Sequence, residues 1–111
     1  MALIINPEKT EIYKQGEGWK VTTLADSPGM GSSAMVARRW SLQSHARTPL
    51  IHHGEYEEIL YVISGNGEAF VGDQSFTLDL ESLLWLEPGD SYRLVAGETG
   101  LEILQGYAPG K

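Results

Sequence analysis

Thr48-Pro49-Leu50-Ile51-His52-His53-Gly54-Glu55-Tyr56-Glu57-Glu58-Ile59-Leu60-Tyr61-Val62-Ile63-Ser64-Gly65 is the stretch on which the fold reading turns. Two adjacent histidines precede a turn, and three acidic residues lead into a hydrophobic run that reads as a strand. The same grammar extends in both directions. Thirteen Gly and five Pro recur between short runs of β-branched and aromatic residues, which is the punctuation of an all-β chain with tight turns. The expected strands are 18–25, 34–42, 57–64, 67–71, 74–78, 82–86, 92–96 and 101–107. Asp26-Ser27-Pro28-Gly29 opens a loop, Ser64-Gly65-Asn66-Gly67 and Gly72-Asp73-Gln74 read as hairpin turns, and Glu87-Pro88-Gly89-Asp90 as a third turn. No window shows sustained helical periodicity, and one helical turn near Pro7 is the only helix expected. Eight short strands spaced by turns predict a sandwich or barrel.

Length and charge narrow the function classes. The chain of 111 residues is one domain's worth, large enough to bury a core without staples. Eight basic against fifteen acidic residues give a net charge of -7, which argues against nucleic acid and anionic membranes as partners, since both are bound mainly through clustered Lys and Arg. The absence of cysteine removes disulfides, thiolate metal sites and a cysteine nucleophile. The start of the sequence lacks a basic segment ahead of its short apolar run, and no stretch approaches the roughly 18 apolar residues of a membrane span. A cytoplasmic protein without a nucleotide cofactor is the expectation.

The residues that carry chemistry are few. Imidazoles and carboxylates on facing strands are what an iron, manganese, nickel or zinc site requires. Alternation along a strand sends His52 and His53 to opposite faces and splits Glu57 from Glu58 in the same way. Arg38 and Arg39 share a strand, so one of them faces inward if that strand lines a barrel, and an inward Arg binds a carboxylate or phosphate bidentately. His45 reads as a surface residue, and Trp40, Trp85 and Tyr61 as core or subunit-interface packing.

The order of these residues resembles the cupin family. Its first motif is Gly, five residues, His-x-His, three or four residues, Glu, six residues, Gly. Here that motif starts at His45, passes through Ile51 and His53, and reaches Glu58 and Gly65. The second motif falls on Glu81, Glu87-Pro88-Gly89, Tyr92 and Ala96. The resemblance implies a single-domain jelly-roll β-barrel of short antiparallel strands, with residues 34–107 as the barrel and 1–33 as N-terminal strands and loop. In the family, two histidines of the first motif, its Glu and a histidine of the second bind a metal. This chain keeps His53 and Glu58 in register but has Ile51 and Tyr92 at the other two positions. Three readings stay open. An altered divalent-metal site uses His53, Glu58 and Tyr92, with His52 brought in by a bulge; the metal is absent and a polar pocket remains; or the register pairs His52 with Glu58. The corresponding functions are a metal-dependent enzyme with Arg38 or Arg39 as substrate clamp, or a metal-free module that binds a small metabolite. The resemblance also implies a homodimer, paired through Leu3-Ile4-Ile5 and Ile12-Tyr13.

Overall fold

Two long antiparallel strands form the spine of the fold. The computed structural model describes residues 12–25, 36–52 and 56–107. Its strands are β1 (Ile12–Gly16), β2 (Trp19–Ala25), β3 (Val36–Leu42), β4 (Ile51–His52), β5 (Glu58–Val71), β6 (Gln74–Leu78), β7 (Leu83–Leu86) and β8 (Ser91–Tyr107). All pairings are antiparallel, in the order β1-β2-β3-β8-β5-β6, with β4 added to β8 and β7 to β5. The all-β jelly-roll architecture expected from the sequence is the one observed. The helical turn expected at Pro7 and the loop at 26–29 lie outside the described residues.

One expectation fails instructively. The strands anticipated at 57–64 and 67–71 are one strand, β5, and those at 92–96 and 101–107 are one strand, β8. The hairpin read at Ser64-Gly65-Asn66-Gly67 is therefore a bend and not a reversal. Its physical cause is a break in alternation. Along β5 the inward residues are Glu58, Leu60 and Val62, then Ala69; along β8 they are Tyr92, Leu94 and Ala96, then Leu101, Ile103 and Gln105. In both strands the parity switches from even to odd, and the switches face each other: Gly65 pairs with Leu101 and Gly67 with Ala96, so residues 97–100 stand opposite Asn66 alone. A bulge of this kind bends the pair and re-aims the side chains that follow, letting one ribbon serve both halves of the barrel.

The other turns form as read. Gly72, at φ +57°, begins the two-residue connection between β5 and β6. At Glu87-Pro88-Gly89-Asp90 the Asp90 amide donates to the Glu87 carbonyl at 3.1 Å, the Asp90 carboxylate accepts from the Glu87 amide at 2.8 Å, and Gly89 adopts φ +87°. Val21, Leu60, Val62, Leu94 and Ile103 are fully buried, each contributing about 1.5–3 kcal/mol of transfer free energy. Along β3 alternation sends Trp40 and Leu42 inward and Arg39 outward to Glu102, its Nε donating at 2.8 Å. β1 is exposed along its whole length.

The bend rests on Gly65. Its φ is +81° and a Cβ there would collide with the Gly100 carbonyl oxygen, backbone that cannot swing away. Gly65→Ala is expected to cost more than about 2 kcal/mol in urea unfolding, whereas Gly72→Ala, with open space around its Cβ, is expected to cost about 1 kcal/mol, the left-handed backbone penalty alone.

Candidate functional site

Three polar side chains are buried among the described residues: Thr48, Glu58 and Gln105. Thr48 ties the segment before β4 to β8, its amide donating to the Leu94 carbonyl at 2.9 Å and its Oγ1 accepting from the Leu94 amide at 3.0 Å. Glu58 and Gln105 open onto a cavity of about 410 Å³ at the end of the barrel where β3, β4, β5 and β8 meet.

A hydrogen-bond chain crosses its floor. Trp40 Nε1 donates to Gln105 Oε1 at 2.7 Å, and Gln105 Nε2 donates to Glu58 Oε2 at 2.7 Å. An indole N–H has no acceptor capacity, so it fixes which end of the Gln105 amide faces it, and the amide in turn holds Glu58 Oε2 as an acceptor. Trp40 is itself clamped, stacked on Trp19 at 5.8 Å between ring centroids and edge-on to Tyr92 at 6.5 Å.

Among the described residues Tyr92 is the largest fully buried side chain. Burial, and next the charge of the neighbouring Glu58 carboxylate, push its phenol well above the ordinary value of 10.0. Its hydroxyl meets no partner at strict hydrogen-bond geometry, while Glu58 acts on it both through its charge and as a side-chain hydrogen-bond acceptor. The phenol is therefore a protonated donor facing an electrostatically charged neighbour.

At the mouth, Arg38 Nη1 donates to the Tyr107 hydroxyl at 2.9 Å. The guanidinium lies 3.9 Å over the Tyr13 ring and 5.4 Å from that of Tyr107, which stacks on Tyr56. Arg38 Nε is buried and without a hydrogen-bond partner.

The residues singled out from sequence separate clearly. Arg38, His52, Glu58 and Tyr92 border one cavity, and Ile51 and Tyr92 are direct cross-strand partners. His52 lies on the exposed side of β4, with Nδ1 2.8 Å from Ser91 Oγ. His53 and Glu55 lie outside the described residues, and Glu57 is exposed. Arg39 is on the opposite face of β3, in a surface ion pair with Glu102 that is worth at most about 1 kcal/mol. His45 is an exposed turn residue at φ 61°. Trp40 is core, while Trp85 is 59% exposed on the outer face. Sequence reading missed Gln105, although its place in the inward run Leu101, Ile103, Gln105 was a usable signal. A larger depression of about 770 Å³ on the outer surface, near Phe70, Phe76 and Trp85, borders none of the buried polar groups.

As a metal centre the described donors do not fit. No three His, Asp or Glu side chains converge among the described residues; Glu58 has one oxygen committed to Gln105, and His52 turns to Ser91.

The AraC-like ligand binding domain family matches the chain over residues 32–108. The chain belongs to that family. Its fold is also that of solved cupins. KdgF from Halomonas sp. superposes with a TM-score of 0.81 at 14% identity, covering 100% of this chain and 96% of that one. An RmlC-like cupin from Shewanella frigidimarina gives 0.75 at 20% identity, covering 94% and 87%. The polyketide cyclase RemF from Streptomyces resistomycificus gives 0.79 at 17% identity, covering 99% and 81%. At these identities the likeness is one of fold. No curated protein matches the chain in sequence.

Gln105→Leu would strand both the Trp40 N–H and a Glu58 oxygen in a buried setting, and is expected to cost about 2–4 kcal/mol in urea unfolding. The phenol supplies a pH signature. The folded state holds the Tyr92 proton more tightly than the unfolded chain, so this contribution is complete below about pH 10. It is lost as pH rises from there through the raised folded value. Tyr92→Phe is expected to flatten that alkaline decline, read from unfolding free energies across pH.

Proposed function

We propose that this protein is a small-molecule-binding cupin whose barrel cavity recognises its ligand through hydrogen bonds and aromatic contact, without a resident metal. The observation that carries this reading is the Trp40–Gln105–Glu58 chain beside the protonated Tyr92. Two positions where cupins place metal-binding histidines hold an aliphatic side chain and a neutral phenol, and the retained carboxylate is bound by an amide. The cavity volume lies within the usual range of small-ligand sites, and its mix of aromatic walls with a few converging polar groups is typical of them. The family description, a ligand-binding domain, agrees in kind.

A second reading places a divalent metal (Fe, Mn, Ni or Zn) on His53, Glu58 and Tyr92. It draws on the fact that Glu58 and Tyr92 border the same cavity. Among the structural neighbours are a predicted oxalate decarboxylase from Thermotoga maritima and a salicylate 1,2-dioxygenase from Pseudoaminobacter salicylatoxidans.

Elemental analysis of untagged protein, paired with thermal melts against panels of organic acids, sugars and those four metals, separates the two. The expected outcome is metal-poor protein whose melting temperature rises with an organic ligand and is indifferent to chelator. A ligand at about 100 times its Kd stabilises by about 2.7 kcal/mol. Near-stoichiometric metal that disappears in His53→Ala would overturn the metal-free reading.

A further inference from the structure

We propose that the ligand of this cavity is a small aromatic monocarboxylate, its carboxylate taken by Arg38 and Tyr92 and its ring by the surrounding indole and phenol faces. The inference rests on the small-molecule reading above and adds the ligand's chemical class.

One buried donor lacks an acceptor and a second is poorly served. Arg38 and Tyr92 both border the cavity; Arg38 Nε, shielded from water, has no hydrogen-bond partner, and the Tyr92 hydroxyl, beside Glu58, meets none at strict geometry. A guanidinium keeps its charge at any physiological pH, and the Tyr92 phenol keeps its proton. Both groups therefore call for an acceptor, and buried polar groups left without one are rare enough in folded proteins to need a reason. A ligand oxygen supplies it.

Arg38 is also preset for the task. Nη1 is anchored on the Tyr107 hydroxyl and the guanidinium plane rests against Tyr13, so the side chain is fixed before any ligand arrives. The Nε edge of a guanidinium presents parallel N–H groups matched to the two oxygens of a carboxylate. A site ordered in advance loses less entropy on binding.

The rest of the wall sets the remainder of the molecule. Trp19 with Trp40, and Tyr56 with Tyr107, present stacked aromatic pairs, surfaces that planar rings contact in offset or edge-on geometry. The volume of about 410 Å³ sits near the lower end of ligand cavities, which favours a single ring. Glu58 supplies a limit on charge. Its carboxylate shares the cavity with Arg38 and Lys14, two cations against one anion, so one ligand carboxylate brings these charges to balance and a second would exceed it.

The test uses the tryptophans in the cavity as reporters. Intrinsic fluorescence is titrated with benzoate, its neutral isostere benzamide, cyclohexanecarboxylate and phthalate, on wild type and on Arg38→Gln, Arg38→Lys, Tyr92→Phe and Arg39→Gln, each verified as folded by thermal melting. Benzoate is expected to bind saturably, with each of the other three compounds at least about tenfold weaker, one tenfold step being the loss of one good polar or stacking contact. Arg38→Gln is expected to weaken benzoate at least about tenfold. Arg38→Lys keeps the charge but not the fork and is expected to lose most of that factor. Tyr92→Phe should lose several-fold, and Arg39→Gln nothing. Benzamide binding as tightly as benzoate, or an Arg38→Gln protein with wild-type affinity, overturns the carboxylate assignment while leaving a small-molecule site standing. Equal binding of cyclohexanecarboxylate overturns the aromatic half. Absence of any saturable response to benzoate overturns the inference entirely, and the broader melt panels then decide whether a different small molecule or a metal occupies the cavity.

Discussion

The indole N–H of Trp40 can only donate, and the polar floor of the barrel follows from that fact. It orients the Gln105 amide, which presents its own N–H to Glu58, which in turn holds that carboxylate against the wall of the cavity. Such a carboxylate would be expensive to bury alone. Here it has an amide donor on one oxygen and Arg38 bordering the same cavity. The phenol of Tyr92 pays the electrostatic consequence: with burial and an anionic neighbour it stays protonated. A single donor-only group thus sets hydrogen-bond polarity through three residues on three strands, β3, β8 and β5.

That convergence depends on how β5 and β8 bend. Without the matched break in alternation, an inward Glu58 at one end of β5 would put Ala69 at the other end outward, and β8 could not turn both Tyr92 and Gln105 into one cavity. Gly65 against Gly100 makes room for the crossing. The bend is thus both a folding feature and the device that brings residues from opposite ends of a 17-residue strand to one site.

Much of the fold was legible because its signals are local. Turn chemistry at Gly72 and at Glu87-Pro88-Gly89-Asp90 is set by φ preferences and short-range hydrogen bonds, and both turns form where the sequence places them. The same local rule misread Ser64-Gly65-Asn66-Gly67. Asn and Gly supply positive φ for a reversal and for a bulge alike, and only the partner strand decides between them. Likewise Arg38 and Arg39 are equivalent in sequence; strand parity sends one to the cavity and the other to Glu102. Gln105 went unnoticed since glutamine carries no chemistry of its own, and its importance comes from standing between Trp40 and Glu58.

By itself the sequence determined an all-β chain, the positions of most of its tight turns, the cupin-like order of its motif residues and the presence of Ile51 and Tyr92 at two positions where that resemblance implies histidines. These are properties of composition, spacing and local backbone preference. Tertiary structure alone decided that two pairs of short strands are two bent ones, that Arg38 and not Arg39 borders the cavity, that His52 faces Ser91, and that Glu58 is held by an amide. Each of those depends on which residue stands opposite, and partners separated by 39 to 69 positions along the chain meet only once the strands have paired.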